Sequence, residues 1–255
     1  MQGVSNGGVW SKQFGGERLD FAVDGRRGFV VFPAGASPRT SVPYPWVWYA
    51  PTFVNDTYPL PKELHAWYTE RLLGAGFCVA GVDVGESWGN PDGRAGFTAF
   101  HQACVTSLGL SSKACLWPQS RGGLQHYNWA AEHPECVQGI GGIYTLVNLF
   151  GLRVADVRLH TAYGMEEETF RRQAYLHNPI DRLAPIARHR VPVFNVHGDS
   201  DAVVPLDENV GKLTKRYRAL GGEAELLVLP GLGHEEVPAF FTNQALLEFF
   251  LNRGR

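Results

Sequence analysis

The sequence predicts an α/β fold, a mostly parallel central sheet of about eight strands with helices on both faces. Three observations carry that expectation. Apolar runs of strand length alternate with stretches of helical spacing from residue 46 to the end of the chain. Several of these runs, such as FCVAGVDV over 77–84, are near-continuously apolar, as strands covered on both faces must be. The 255 residues hold no internal repeat and no low-complexity linker, so one domain accounts for the whole length.

The elements follow in order. ERLDFAV and GFVVFP flank the turn-rich DGRRG and read as an opening hairpin. WVWYA (46–50) is aromatic and β-branched, is bounded by prolines, and reads as the next strand. KELHAWYTERLLGAG has helical spacing and ends on glycines, as a helix C-terminus does. After FCVAGVDV come a helix around AGFTAFHQACVTSLG, the strand KACLW, the helix GGLQHYNWAAEH and the strand VQGIGGIY. A polar excursion over 148–178 interrupts the alternation and reads as a small cap or lid inserted in the domain. The chain then resumes with helix DRLAPIARH, strand VPVFNVHG, helix DENVGKLTKRYRALGG, strand EAELLVLP and a closing helix NQALLEFFLNR.

Composition excludes several function classes. The net charge is −2 and 19% of residues are charged, so no basic footprint for nucleic acid is expected. No apolar run approaches the roughly 20 residues of a membrane helix, and MQGVSNGGVW lacks the basic start and apolar run of a leader. The four cysteines, Cys78, Cys104, Cys115 and Cys136, show no metal-ligand spacing and read as free thiols packed like small hydrophobes. No metal or cofactor is expected, because no phosphate loop or dinucleotide fingerprint is present. The oligomeric state is not legible.

In a parallel sheet the strand carboxyl ends collect along one edge, so the residues just after each strand are the ones that can meet. After KACLW comes Pro118-Gln119-Ser120-Arg121-Gly122-Gly123. This fits the nucleophile-elbow pattern G-x-S-x-G at its serine and second glycine, with Pro118 in place of the first. The bland alternative is a serine capping a helix. After VPVFNV comes HGDSDAVVP, with Asp199 and Asp201 at the mouth of the strand. After EAELLVLP comes GLGHE, with His234. Taken singly, these are a turn rich in aspartate and a loop histidine. Together, the order Ser, Asp, His on successive strand ends is that of a triad in which histidine takes the serine proton and the acid orients the histidine.

On these residues the chain resembles the α/β-hydrolase superfamily over nearly its whole length. HGDSDAVVP followed by LPGLGHE is similar to the C-terminal signature of esterases and prolyl-oligopeptidase-like hydrolases. That resemblance places the acid at Asp201, with Asp199 as the alternative, bracing the turn. It also implies an oxyanion hole from the Arg121 N–H and one N–H of the loop APTFVNDTYP, either Thr52 or Phe53, since Pro51 has no N–H to give. The SRGGL and YNWAAEHPE stretches resemble bacterial hydrolases linked to carbohydrate use. A serine followed directly by arginine resembles the glucuronoyl esterases, where such an arginine helps hold the substrate. The alternative for the Arg121 side chain is an ordinary ion pair at a helix start.

Glu86 and Trp88, in the loop GESWGNPDG, and Trp117 are candidate substrate contacts, with core packing the favoured alternative for Trp117, which is still on its strand. The expected activity is a serine esterase acting through an acyl-enzyme on a small-molecule or carbohydrate ester, an acylated sugar or a small aromatic ester. A prolyl-oligopeptidase-like peptidase is the runner-up. A non-catalytic carbohydrate-binding module is the third reading.

Overall fold

The computed structural model describes residues 8–38, 42–55, 57–154 and 159–253. Nine strands form one sheet in the order β1-β2-β3-β5-β4-β6-β7-β8-β9. In chain order they are β1 (Val9–Gln13), β2 (Gly16–Val23), β3 (Arg26–Phe32), β4 (Trp46–Ala50), β5 (Cys78–Val82), β6 (Ala114–Pro118), β7 (Val137–Ile143), β8 (Val193–Gly198) and β9 (Ala224–Leu229). The first three and β5 pair antiparallel, and every pairing from β5 through β9 is parallel.

Eight of these strands lie where the apolar runs place them, and β1 is an addition. Its side chains are almost all exposed, so it carries no buried stripe to read. The turn that joins it to β2 puts Phe14 and Gly15 at φ 50° and 76°. Such tight hairpins usually announce themselves by Asn-Gly or Asp-Gly, and Phe-Gly does not. The neighbouring hairpin, with Asp24 and Gly25 at φ 50° and 72°, does.

The helices are α1 (Ala66–Gly74), α2 (Pro91–Ser107), α3 (Gly122–Glu132), α4 (Leu159–Ala162), α5 (Glu167–Gln173), α6 (Ala184–Arg188), α7 (Val210–Ala219), α8 (Pro238–Phe241) and α9 (Gln244–Arg253). They split between two cores. Trp46, Trp48 and Ala50 of β4 pack with α2, α3, α6 and α7, while Val47 and Tyr49 pack with α1, α8 and α9. This alternation explains why β4, β5 and β6 are wholly buried. Helix α1 leads from β4 to β5, and α3 leads from β6 to β7 on the opposite face and in the opposite direction along the sheet. The connections therefore diverge between β4 and β6, which opens a crevice at their carboxyl ends.

The 148–178 excursion contains α4 and α5, and its residues 155–158 lie outside the described ones. Leu149, Phe170 and Ala174 form a small core with Leu124, Leu146 and Val204, with Trp88 packed against it. Among the described residues, no helix is long and apolar enough to cross a membrane. Cys78, Cys104 and Cys115 are buried free thiols, and Cys136 is half-buried. The first seven residues, which include most of the stretch read as lacking a leader, lie outside the described ones.

Candidate active site

Ser120 sits between β6 and α3 with φ +47°, in the left-handed region that a residue with a side chain rarely adopts. The bend is held from both ends. The Gln119 N–H donates to Ala50 O (2.8 Å), the Ser120 N–H to Ile143 O (3.1 Å), and Ser120 O accepts from the Leu146 N–H (2.8 Å). Helix α3 must start hard against β4. A Cβ at Gly122 would lie 2.0 Å from Ala50 O, so only glycine fits there. Pro118, in place of the pattern's first glycine, ends β6 in register with Ala50 and leaves this turn intact.

Three side chains, from the ends of β6, β8 and β9, meet at this bend. Ser120 Oγ is 2.9 Å from His234 Nε2, and His234 Nδ1 is 2.8 Å from Asp201 Oδ2. Asp201 is only 5% exposed, and its Oδ1 accepts from the Val203 (2.9 Å) and Val204 (2.7 Å) N–H groups. Buried His197 sits 3.3 Å from Oδ2 through Nε2, which also faces Val204 O at 2.8 Å. Burial pushes the Asp201 carboxyl up, but the hydrogen bonds from His197, His234 and the Val204 N–H outweigh it and hold the group well below the usual carboxylate range. With an ionised Asp201 accepting the Nδ1 proton, Nε2 is left with its lone pair toward the serine hydroxyl.

Asp199 has different work. Its Oδ1 accepts from the Gly231 N–H (2.7 Å) and the Ser200 hydroxyl (3.1 Å), tying the ends of β8 and β9 together. It is exposed, and among the described residues no hydrogen bond or ion pair joins it to His234.

Ser120, His234 and Arg121 open onto a cleft of about 280 Å³ walled by Pro51, Tyr58, Leu60, Tyr144 and Glu236. Of the two N–H candidates after β4, that of Phe53 is engaged with Leu60 O at 3.1 Å, whereas the Thr52 N–H donates to no acceptor among the described residues. The Arg121 N–H is likewise left over at the start of α3. The Arg121 guanidinium pairs with Glu86 (3.0 Å) and lies over the Phe53 ring, 5.1 Å from its centroid.

Two aromatic candidates are elsewhere. Trp117 is fully buried, edge-on to Tyr49, His65, Tyr68 and Phe250, because its position on β6 points it into the α1/α9 core rather than to the strand end. Trp88, at φ +50°, packs half-buried against the excursion, and its carbonyl accepts from the Tyr163 hydroxyl (2.9 Å).

Two residues in the site had no sequence signal attached to them. Gln119 is buried behind the serine and bridges Tyr49, His65 and Tyr144. Tyr144, first after β7 at φ +33°, lays its ring 4.3 Å from that of His234. Its place right after a parallel strand was the available clue.

No protein-family model matches the chain, and no curated protein matches its sequence. Solved structures do match. S-formylglutathione hydrolase from Agrobacterium tumefaciens superposes with a TM-score of 0.69 at 13% identity, over 100% of both chains. Est1E from Butyrivibrio proteoclasticus gives 0.60 at 16%, covering 97% of this chain and 99% of that one. Dipeptidyl peptidase 4 from Porphyromonas gingivalis gives 0.70 at 12%, and there this chain spans 36% of the other's length. The strand order and these superpositions define the α/β-hydrolase fold, shared by esterases and by the catalytic domains of peptidases. At such identities the likeness establishes the fold alone.

Proposed function

We propose that this chain is a serine hydrolase of carboxylic esters. The observation that carries the reading is the hydrogen-bonded series Ser120–His234–Asp201 on a serine held at positive φ. In this reading Ser120 Oγ attacks the ester carbon while His234 Nε2 takes its proton, and Asp201 stabilises the imidazolium that forms. The N–H groups of Thr52 and Arg121 receive the oxyanion. Collapse expels the alcohol, which takes the proton back from His234. Water, deprotonated by the same histidine, then releases the acid.

The cleft's modest volume and its Tyr58, Leu60 and Tyr144 walls suit a small ester, an aromatic acyl ester or an acylated sugar. A carbohydrate esterase from gut microbiota is among the superposing structures, at 14% identity and a TM-score of 0.67, which is compatible with the sugar ester. The 148–178 excursion is read as a small cap beside α3.

Turnover of p-nitrophenyl acetate should far exceed that of dipeptidyl p-nitroanilides and should vanish in His234→Ala. Peptide turnover exceeding ester turnover by orders of magnitude would replace the esterase with a peptidase. A folded protein that turns over neither, yet binds sugars, would be a binding module.

A further inference from the structure

The polar side chains behind Ser120 form a chain whose proton directions are determined by burial. His65 Nδ1 faces both the Lys62 N–H (3.0 Å) and the Lys62 carbonyl oxygen (3.1 Å), while Nε2 faces Gln119 Oε1 (2.8 Å), an acceptor, and so carries the proton and donates it there. The buried Tyr49 hydroxyl donates to the same Oε1 (2.7 Å). Gln119 Nε2 therefore faces away and donates to the Tyr144 hydroxyl oxygen (2.9 Å). Flipping the Gln119 amide would leave the Tyr49 proton buried with no acceptor, and moving the His65 proton to Nδ1 would set the Nε2 lone pair against Gln119 Oε1. Both arrangements cost a buried hydrogen bond. In the one that satisfies the Tyr49 hydroxyl and the His65 Nε2 proton, the Tyr144 proton is left over. It donates to nothing among the described residues, and Tyr144 walls the cleft with Ser120 and His234.

The side of the serine on which this donor lies follows from the strand order. Thr52 follows β4, and the contact between Gly122 and Ala50 draws the Arg121 end of α3 toward β4 as well. Tyr144 follows β7, on the other side of β6, together with the ends of β8 and β9 that carry Asp201 and His234. Its ring touches the imidazole that would return a proton to the departing alcohol.

We propose that the Tyr144 hydroxyl is a further catalytic donor, held by Gln119 and aimed at the leaving-group oxygen of the ester. The proposal rests on the serine-hydrolase reading of the same site. As the ester C–O bond breaks, negative charge grows on that oxygen. Tyr144 donates a hydrogen bond to it and keeps its proton, while His234 transfers one. The contribution is then largest for alcohols that leave poorly.

The test is Tyr144→Phe, which keeps the ring against His234, measured with ethyl acetate and p-nitrophenyl acetate. For ethyl acetate kcat/KM should fall at least about tenfold, the scale of one lost hydrogen bond to a charged oxygen. For p-nitrophenyl acetate, whose phenolate needs little help, it should fall less than about threefold, with the pH–rate profile unmoved. Equal losses on both esters, or no loss on either, would overturn the proposal. If the Phe variant does not fold, 2,3-difluorotyrosine at position 144 keeps the hydroxyl and makes it a stronger donor. It should raise the ethyl-to-p-nitrophenyl rate ratio, and an unchanged ratio would overturn the proposal. Labelling the wild type with a fluorophosphonate separates the two layers. An adduct on Ser120 with an unchanged ester ratio rejects Tyr144 alone, and no adduct rejects the underlying reading and this proposal with it.

Discussion

Asp199 and Asp201 stand two positions apart and face different partners, one binding the backbone of the next strand's loop, the other the imidazole. Asp201→Asn should lower kcat on p-nitrophenyl acetate by about 10³- to 10⁴-fold, because the amide favours the wrong histidine tautomer. Asp199→Asn should leave kcat within a few-fold and act on stability. Steady-state kinetics of the two variants side by side decides this, and equal losses would contradict the assignment. The strand pattern alone brings both aspartates to the strand mouth, and only the resemblance of HGDSDAVVP to a known signature separates them. Ser120 and His234 were legible because their chemistry is distinctive and their places follow strands. Gln119 and Tyr144 were not, since glutamine and tyrosine are ordinary residues whose role here arises from four side chains brought together from β4, the residue before α1, and the residues just after β6 and β7. Trp117 packs in the core, the reading its place on β6 favours, and drops out as a substrate contact.

The elbow is a property of two elements in contact, the start of α3 and the end of β4. Gly122→Ala places a methyl 2.0 Å from Ala50 O, a backbone atom that cannot swing away. The substitution should cost at least about 1–3 kcal/mol, the range for overpacking a close contact, and should weaken ester turnover as α3 backs off. Thermal unfolding and turnover measured together check this, and an unchanged melting temperature would contradict the close packing. The pattern G-x-S-x-G made Gly122 legible, and the register of Pro118 with Ala50 shows why a proline is accepted two residues before the serine. Most helices and strands were legible from periodicity, because strands buried on both faces and helices buried on one read differently. β1 was not, because it is held by ladder hydrogen bonds to β2 and buries almost nothing of its own.

Acid sensitivity belongs to the whole molecule. Burial lowers the pKa of His65, His101, His126 and His177, and takes His126 down to about 3. His126 is fully buried between Trp48 and Phe97, with no hydrogen-bond partner at either ring nitrogen among the described residues. A group whose folded pKa lies below its unfolded value makes its full contribution above the unfolded pKa, near 6.5 for histidine, and loses it as the pH falls toward the folded value. From pH 7 to pH 5 His126 alone should cost about 2 kcal/mol of stability. Urea midpoints at the two pH values should show that fall, and His126→Leu should flatten it by about that amount. Asp201 acts in the same direction in a lower window, below the unfolded carboxylate value near 4.

The central claim, a serine activated at the joint of β6 and α3, is tested most directly by intact-mass labelling with a fluorophosphonate, with Ser120→Ala as control. The account predicts one adduct per chain on the wild type and none on the variant. A folded wild type that takes no adduct, or a variant labelled equally, would contradict it.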